Sequence, residues 1–356
     1  MKPQHNLVIL IAPPSYHFNE DRFFSLDGSL NRDGTLVANH HMRETLRKAG
    51  YPVHTADQYE TISQKFPNVQ FHFWSFGASS KTALAFKGRN VRKIGAGLFE
   101  PPLVKPDDYR KISQLSEAFE RVYLHNVSQD GYRLTSQLNS AKLRRLYWTN
   151  RPFENPFEDE NQRSRHNRVA MIVGAHFRRA RSNNGYGLRL QAIEECGLDG
   201  PLDIFGNGWG RLQLRSPLAS AYWALNLRFA GIEVTSPKKK HDVYSRYEFA
   251  LCFENMAMSG YITEKIFDAL FSGCIPIYWG APDITDYIPS DCFVDRRQFS
   301  SSAKAIDYCL ALTKSQRAGY RLAIEKFLGS NSFQRFSRGF HGEVEDFYLG
   351  EPADAR

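Results

Sequence analysis

Apolar positions in this chain come in short runs separated by polar stretches, and the runs differ in period. Leu7–Ala12 is wholly apolar and stops at Pro13 and Pro14; a mixed segment follows over Leu36–Ala49 and ends at Gly50; Val69–Phe76 and Val91–Phe99 return to strand-length apolar runs. Short apolar runs bounded by turn residues read as buried strands, and apolar residues three and four apart read as helix. The order predicts strand, helix, strand, strand in an α/β layer. A second series starts at Arg168–Ala175, passes through a helix near Leu188–Cys196 closed by Gly197, and returns to a strand at Leu202–Phe205. It continues with a strand at Phe249–Phe253, a helix at Ile262–Phe271 ended by Gly273, strands at Ile275–Trp279 and Cys292–Asp295, and closing helices. Between the series, Thr149–Arg165 is rich in Asn, Pro, Glu and Arg without periodicity, which is linker composition. The expected division is an N-terminal α/β domain over residues 1–150, a linker over 151–165, and a C-terminal α/β domain with closing helices over 166–356.

Composition narrows the partners without naming one. Lysine and arginine number 46 against 38 acidic residues, a net charge of +8 that favours anionic partners: phosphates, nucleic acid, anionic lipid or acidic glycans. Nucleic-acid binding would also need aromatic and basic residues interleaved on one surface, and no such stretch stands out, so no nucleic-acid partner is expected. The five cysteines are odd in number and lack CxxC spacing, which reads as reduced thiols in a reducing compartment. Leu7–Ala12 is too short for a signal-peptide core or a membrane span. There is no GxxxxGK[ST] loop, HExxH, GxSxG or Cys/His metal spacing, and Gly206–Gly210 lacks the dinucleotide spacing. No Asp-x-Asp occurs either. A sugar-diphosphate donor would therefore be neutralised by cationic side chains and backbone amides, and no obligatory metal or other cofactor is expected.

The chemistry concentrates between Arg246 and Gly280. There a strand ends in Phe253-Glu254-Asn255; a loop leads to Tyr261-Ile262-Thr263-Glu264-Lys265 at the start of a helix; and a strand ends in Pro276-Ile277-Tyr278-Trp279-Gly280. In an open α/β sheet, anions bind where a strand's carboxyl end meets a helix N-terminus. Asn255, Tyr261, Glu264 and Lys265 all fall at that junction, with Thr263 placed to cap the helix.

These motifs, in this order, resemble the donor-binding signature of the family 10 α1,3/α1,4-fucosyltransferases, of the bacterial GDP-fucose-dependent type. The resemblance implies an α/β fold of two Rossmann-like domains facing across a cleft, the GT-B type of glycosyltransferase. It implies an inverting transfer of L-fucose from GDP-β-L-fucose to a hydroxyl of an oligosaccharide or lipid-linked glycan. By the same resemblance, Lys265 and Arg189 match the residues that hold the diphosphate, Asn255 and Tyr261 match residues lining the nucleotide and phosphate pocket, and Glu264 matches an acidic partner for sugar or ribose hydroxyls. Glu100, in Leu98-Phe99-Glu100-Pro101-Pro102, occupies the context of the family's general base. A carboxylate ending an apolar strand beside two prolines is held rigidly, and partial burial would raise its pKa toward a useful range. Asp286, Asp295 and Arg297 lie just beyond the signature as further candidates for lining the cleft.

Animal secretory members of the family carry an N-terminal membrane anchor, and certain bacterial members end in heptad repeats and a basic tail. Neither pattern is read here, so a cytoplasmic enzyme in surface-polysaccharide or lipopolysaccharide synthesis is expected, in peripheral contact with the inner membrane through basic charge. Two other readings remain open from sequence: the same fold using a different nucleotide sugar, and a non-catalytic glycan-binding protein.

Overall fold

The computed structural model describes residues 6–350, other than 28, 79–80, 129–138, 150–163, 178–183, 231 and 233. The chain divides into two compact units, one of Met1–Pro152 with Gln334–Arg356 and one of Phe153–Phe333. Most of the expected linker, 151–165, lies outside the described residues.

In the first unit β1 (Leu7–Ala12), α1 (Val37–Lys48), β2 (Val53–Thr55), α2 (Tyr59–Lys65), β3 (Gln70–Phe76), β4 (Val91–Leu98), α3 (Pro106–Arg110), α4 (Ile112–Ala118), β5 (Arg121–Leu124) and β6 (Leu143–Arg145) follow in order. Among the described residues its sheet has the order β2-β1-β3-β4-β5-β6, with every pair parallel. Strands covered on both faces need apolar residues at successive positions, and Leu7 to Ile11 are accordingly all buried.

The second unit runs β7 (His166–Ile172), α5 (Gly185–Cys196), β8 (Leu202–Phe205), α6 (Pro217–Phe229), α7 (Lys240–Tyr244), β9 (Tyr247–Phe253), α8 (Glu264–Leu270), β10 (Ile275–Trp279), β11 (Val294–Asp295), α9 (Ser302–Ala311) and α10 (Lys314–Leu328). Its sheet is parallel in the order β11-β10-β9-β7-β8. The register Trp279↔Phe253 brings the ends of β9 and β10 level, so the loops that leave them gather at one sheet edge.

A final helix, α11 (Asn331–Leu349), is kinked at Gly339, and from Gln334 onward it belongs to the first unit. This departs from the expected domain of 166–356. The cause is apolar: Phe340 and Val344 are fully buried with Ile9, Ile11, Trp74 and Tyr123, completing a core that the first sheet leaves open. Several shorter elements also differ from the reading. β2 and β6 hold three residues each and β5 four, too few to show a period. α5 starts three residues early despite Gly185 and Gly187, because the Asn184 side chain accepts the Tyr186 amide at 3.0 Å and caps the helix. All five cysteines are free thiols. Among the described residues no helix is long and apolar enough to cross a membrane.

Candidate active site

β9 delivers Glu254 and Asn255 to the sheet edge. Glu254 is fully buried, and its carboxylate accepts the amide and the hydroxyl of Thr263, each at 2.7 Å, while Lys265 Nζ lies 3.3 Å from Oε2. Thr263 precedes α8 yet caps nothing with its side chain. Its hydroxyl donates to Glu254 and accepts from Lys265 Nζ at 2.9 Å. The sequence reading places an external anion on the amides at this junction; the structure gives the Thr263 amide to the chain's own Glu254.

Lys265 has three N–H donors and three oxygens around it, Thr263 Oγ1, Glu254 Oε2 and Glu264 Oε1, the last two at 3.3 Å. Burial disfavours its charge, but the Glu254 and then the Glu264 carboxylates outweigh that and hold its pKa above the usual amine value. Burial also resists ionisation of Glu264, and the ammonium groups of Lys265 and Lys240 overcome it, pulling the carboxyl down to about 2. For Glu254 burial dominates, and its pKa is raised. The Lys265 side chain keeps 21% of its surface exposed.

Arg189 enters the cluster from α5. Its Nη2 donates to the Phe253 carbonyl and, at 3.1 Å, to Asn255 Oδ1, and its guanidinium stands over the Tyr186 ring at 5.1 Å. Its buried Nε–H has no acceptor among the described residues, and burial lowers its pKa against the opposing pull of Tyr186 and Glu254. α5 comes this close because Gly185 lacks a Cβ, which would fall 1.8 Å from the Glu254 carbonyl oxygen. At Gly280 a Cβ would fall 2.5 Å from Glu254 Cγ, so the aromatic-Gly end of β10 is room for the buried glutamate. Tyr261 is almost wholly buried and belongs to the core of the same junction. Asp295 and Arg297 pair with each other at 2.7 Å, Arg297 also donates to the Ala281 carbonyl at 3.3 Å, and Asp286 is exposed. The fold thus brings Arg189, Asn255, Tyr261, Glu264 and Lys265 together. Sequence reasoning passed over Glu254, whose signal was a carboxylate at the end of an otherwise apolar strand.

Glu100 lies in the first unit, two residues after β4. It lines a cavity of about 610 Å³, within the size range of small-molecule sites. Phe76, Phe99 and Trp148 line the same cavity beside Ser75, Asn39 and His341. Phe76 and Phe99 stack at 6.2 Å, and Trp148 meets Phe99 edge-on at 5.1 Å. The Glu100 carbonyl accepts the Tyr109 hydroxyl at 3.0 Å, which ties the loop down. His341 carries no sequence signal for this cavity, because α11 lies at the far end of the chain and returns to the first unit only in the fold.

His341 Nε2 donates to Asn39 Oδ1 at 2.5 Å, and burial, helped by His41, lowers its pKa to about 4. Between pH 6.5 and 4 the unfolded chain therefore carries a proton there that the folded chain does not. The associated stability is complete above pH 6.5 and is lost as pH falls from there through the folded value near 4, by about 3 kcal/mol in all. Denaturant unfolding of His341→Gln and wild type across that range should show a flatter pH dependence in the variant; parallel curves would contradict the assignment.

Residues 189–322 match the sequence model of glycosyltransferase family 10 (fucosyltransferase), C-terminal region. Within this chain, a 71-residue stretch is 48% identical to the alpha-(1,3)-fucosyltransferase FucT of Helicobacter pylori, covering 20% of this chain and 15% of that protein. A 95-residue stretch is 37% identical to GDP-fucose protein O-fucosyltransferase 3 of Bos taurus, covering 26% of this chain and 20% of that protein. The matched sequence spans a fifth or less of these relatives' length. A crystal structure of an alpha1,3-fucosyltransferase matches over 96% of this chain and 88% of that one, with a TM-score of 0.50 and 17% identity, a likeness of fold. That fold is the GT-B type, with two parallel α/β sheets. Arg189 is the first residue of the family 10 match, and Asn255, Tyr261, Glu264 and Lys265 all lie inside it, whereas Glu100 and its aromatic cavity lie outside.

Proposed function

We propose that the chain is an inverting fucosyltransferase that moves L-fucose from GDP-β-L-fucose to a hydroxyl of a glycan acceptor, in α1,3 or α1,4 linkage. The observation that carries this reading is the convergence of two cations, Arg189 and Lys265, with Asn255 and Glu264 inside the family 10 segment. One matched relative carries GDP-fucose in its name, which supports the donor.

In this reading the acceptor oxygen attacks the anomeric carbon while the bond to the β-phosphate oxygen breaks, and that electron pair leaves with GDP. Charge grows on the diphosphate as the sugar becomes oxocarbenium-like. Lys265 and Arg189 meet that charge. Lys265 is saturated by its own chain, so a phosphate oxygen would replace one of its partners, and Glu264, freed of the ammonium, could turn to a donor hydroxyl. Glu100 takes the acceptor proton, and no metal is required. The free thiols fit a reducing, cytoplasmic setting, and a lipid-linked or lipopolysaccharide-precursor acceptor would bring the enzyme to the inner membrane.

Donor identity is tested by thermal shift with GDP-fucose, GDP-mannose and UDP-glucose. GDP-fucose at a hundred times its Kd stabilises the fold by about 2.7 kcal/mol, and the others much less. Stabilisation by UDP-glucose alone would overturn the donor. A protein acceptor is the second reading, favoured by the 95-residue likeness to a protein O-fucosyltransferase, and transfer to polypeptide hydroxyls rather than glycans would establish it.

A further inference from the structure

α6 buries Ser220, Trp223 and Leu227, and Trp223 joins Trp209 in the core of the second unit. The outer face of a surface helix is ordinarily polar. Here it carries Leu218, Tyr222, Leu225 and Phe229, spaced four, three and four residues apart, which puts them on one side of the helix. All four are exposed, Leu218 at 87% and Phe229 at 85%, and Leu212 and Leu214 in the preceding loop are exposed as well. A concentration of exposed apolar side chains of this kind marks an interaction surface.

The surrounding charge selects the partner. From Phe205 to Ile232 the chain has no Asp or Glu, while Arg211, Arg215 and Arg228 are all exposed. A second copy docking the same face symmetrically would set these arginines against their own kind. An anionic bilayer offers the opposite charge and an apolar interior in one surface.

We propose that the outer face of α6 is a membrane-docking surface for anionic lipid, with Leu218, Tyr222, Leu225 and Phe229 inserted below the headgroups and Arg211, Arg215 and Arg228 among the phosphates. Helices of this kind sink roughly 5–10 Å into the headgroup boundary. Delivery to a lipid-linked acceptor is the use that rests on the fucosyltransferase reading; lipid binding itself does not.

The test is flotation of the full chain with vesicles of phosphatidylglycerol and phosphatidylcholine, and with phosphatidylcholine alone. Wild type should float with the anionic vesicles and far less with the neutral ones. Leu218→Asp with Phe229→Gln should weaken partitioning by about 100-fold, roughly tenfold for each apolar side chain. Arg211→Gln and Arg215→Gln should each cost about fivefold, and added salt should act in the same direction. Transfer to a soluble acceptor should be unchanged in all of these variants. Wild type that fails to float with anionic vesicles, or flotation that the apolar variants do not weaken, would overturn the proposal. So would a dimer in solution that those variants disperse while vesicles bind nothing. Flotation as expected in a protein that transfers no fucose would leave the docking surface standing and the donor reading refuted.

Discussion

Replacing Lys265 with alanine should lower turnover of GDP-fucose by about 10²–10³-fold, the loss seen when a donor to developing negative charge is removed. The fall should be carried by kcat, because the diphosphate gains its charge as the sugar departs. The same substitution strips buried Glu254 of its only ion-pair partner among the described residues, and an unpaired buried charge costs about 3–5 kcal/mol. Stability and turnover must therefore be read side by side. Lys265→Arg keeps a cation beside Glu254 and should recover most of the stability, while its planar, bulkier head restores turnover only in part. If Lys265→Ala stays folded and keeps turnover within tenfold of wild type, the lysine does not stabilise the leaving group.

Glu100→Gln should lower acceptor-dependent transfer by about 10²–10⁴-fold, the span ascribed to general base catalysis. Glutamine has nearly the same shape, so the aromatic cavity stays intact and acceptor affinity should change little. Donor affinity should not change, since the donor cluster is built from another part of the chain. A Glu100→Gln enzyme that transfers at close to the wild-type rate would remove Glu100 from the mechanism and move the search for the base elsewhere in the cavity.

The clustering around Lys265 was legible in sequence because most of its residues lie close along the chain. Asn255, Tyr261, Glu264 and Lys265 fall within eleven residues of one another, on a strand-loop-helix unit whose apolar runs are long enough to declare themselves. Arg189 was reached only through the family resemblance, since nothing local marks an arginine in α5 as the one that donates to the Phe253 carbonyl. Glu254 was the opposite case. It stood in plain view in the motif, but its role depends on contacts with Thr263, Lys265 and the space at Gly280, which no spacing announces. The first unit was harder to read. Its sheet is completed by strands of three or four residues and its core by α11, which arrives from about 200 residues downstream of β6. His341 could not be assigned to the Glu100 cavity without that return of the chain. α6 escaped notice because its apolar residues run around the helix, and a helix with both faces apolar shows no clean period.

Fucosyl transfer is tested most directly by release of GDP from GDP-fucose by the wild-type chain in EDTA, with and without an N-acetyllactosamine-type acceptor. Release should depend on acceptor, survive EDTA and yield an α-linked fucoside. If no GDP-fucose is bound or consumed under those conditions while another nucleotide sugar is, the cluster around Lys265 serves a different donor and the chain is not a fucosyltransferase.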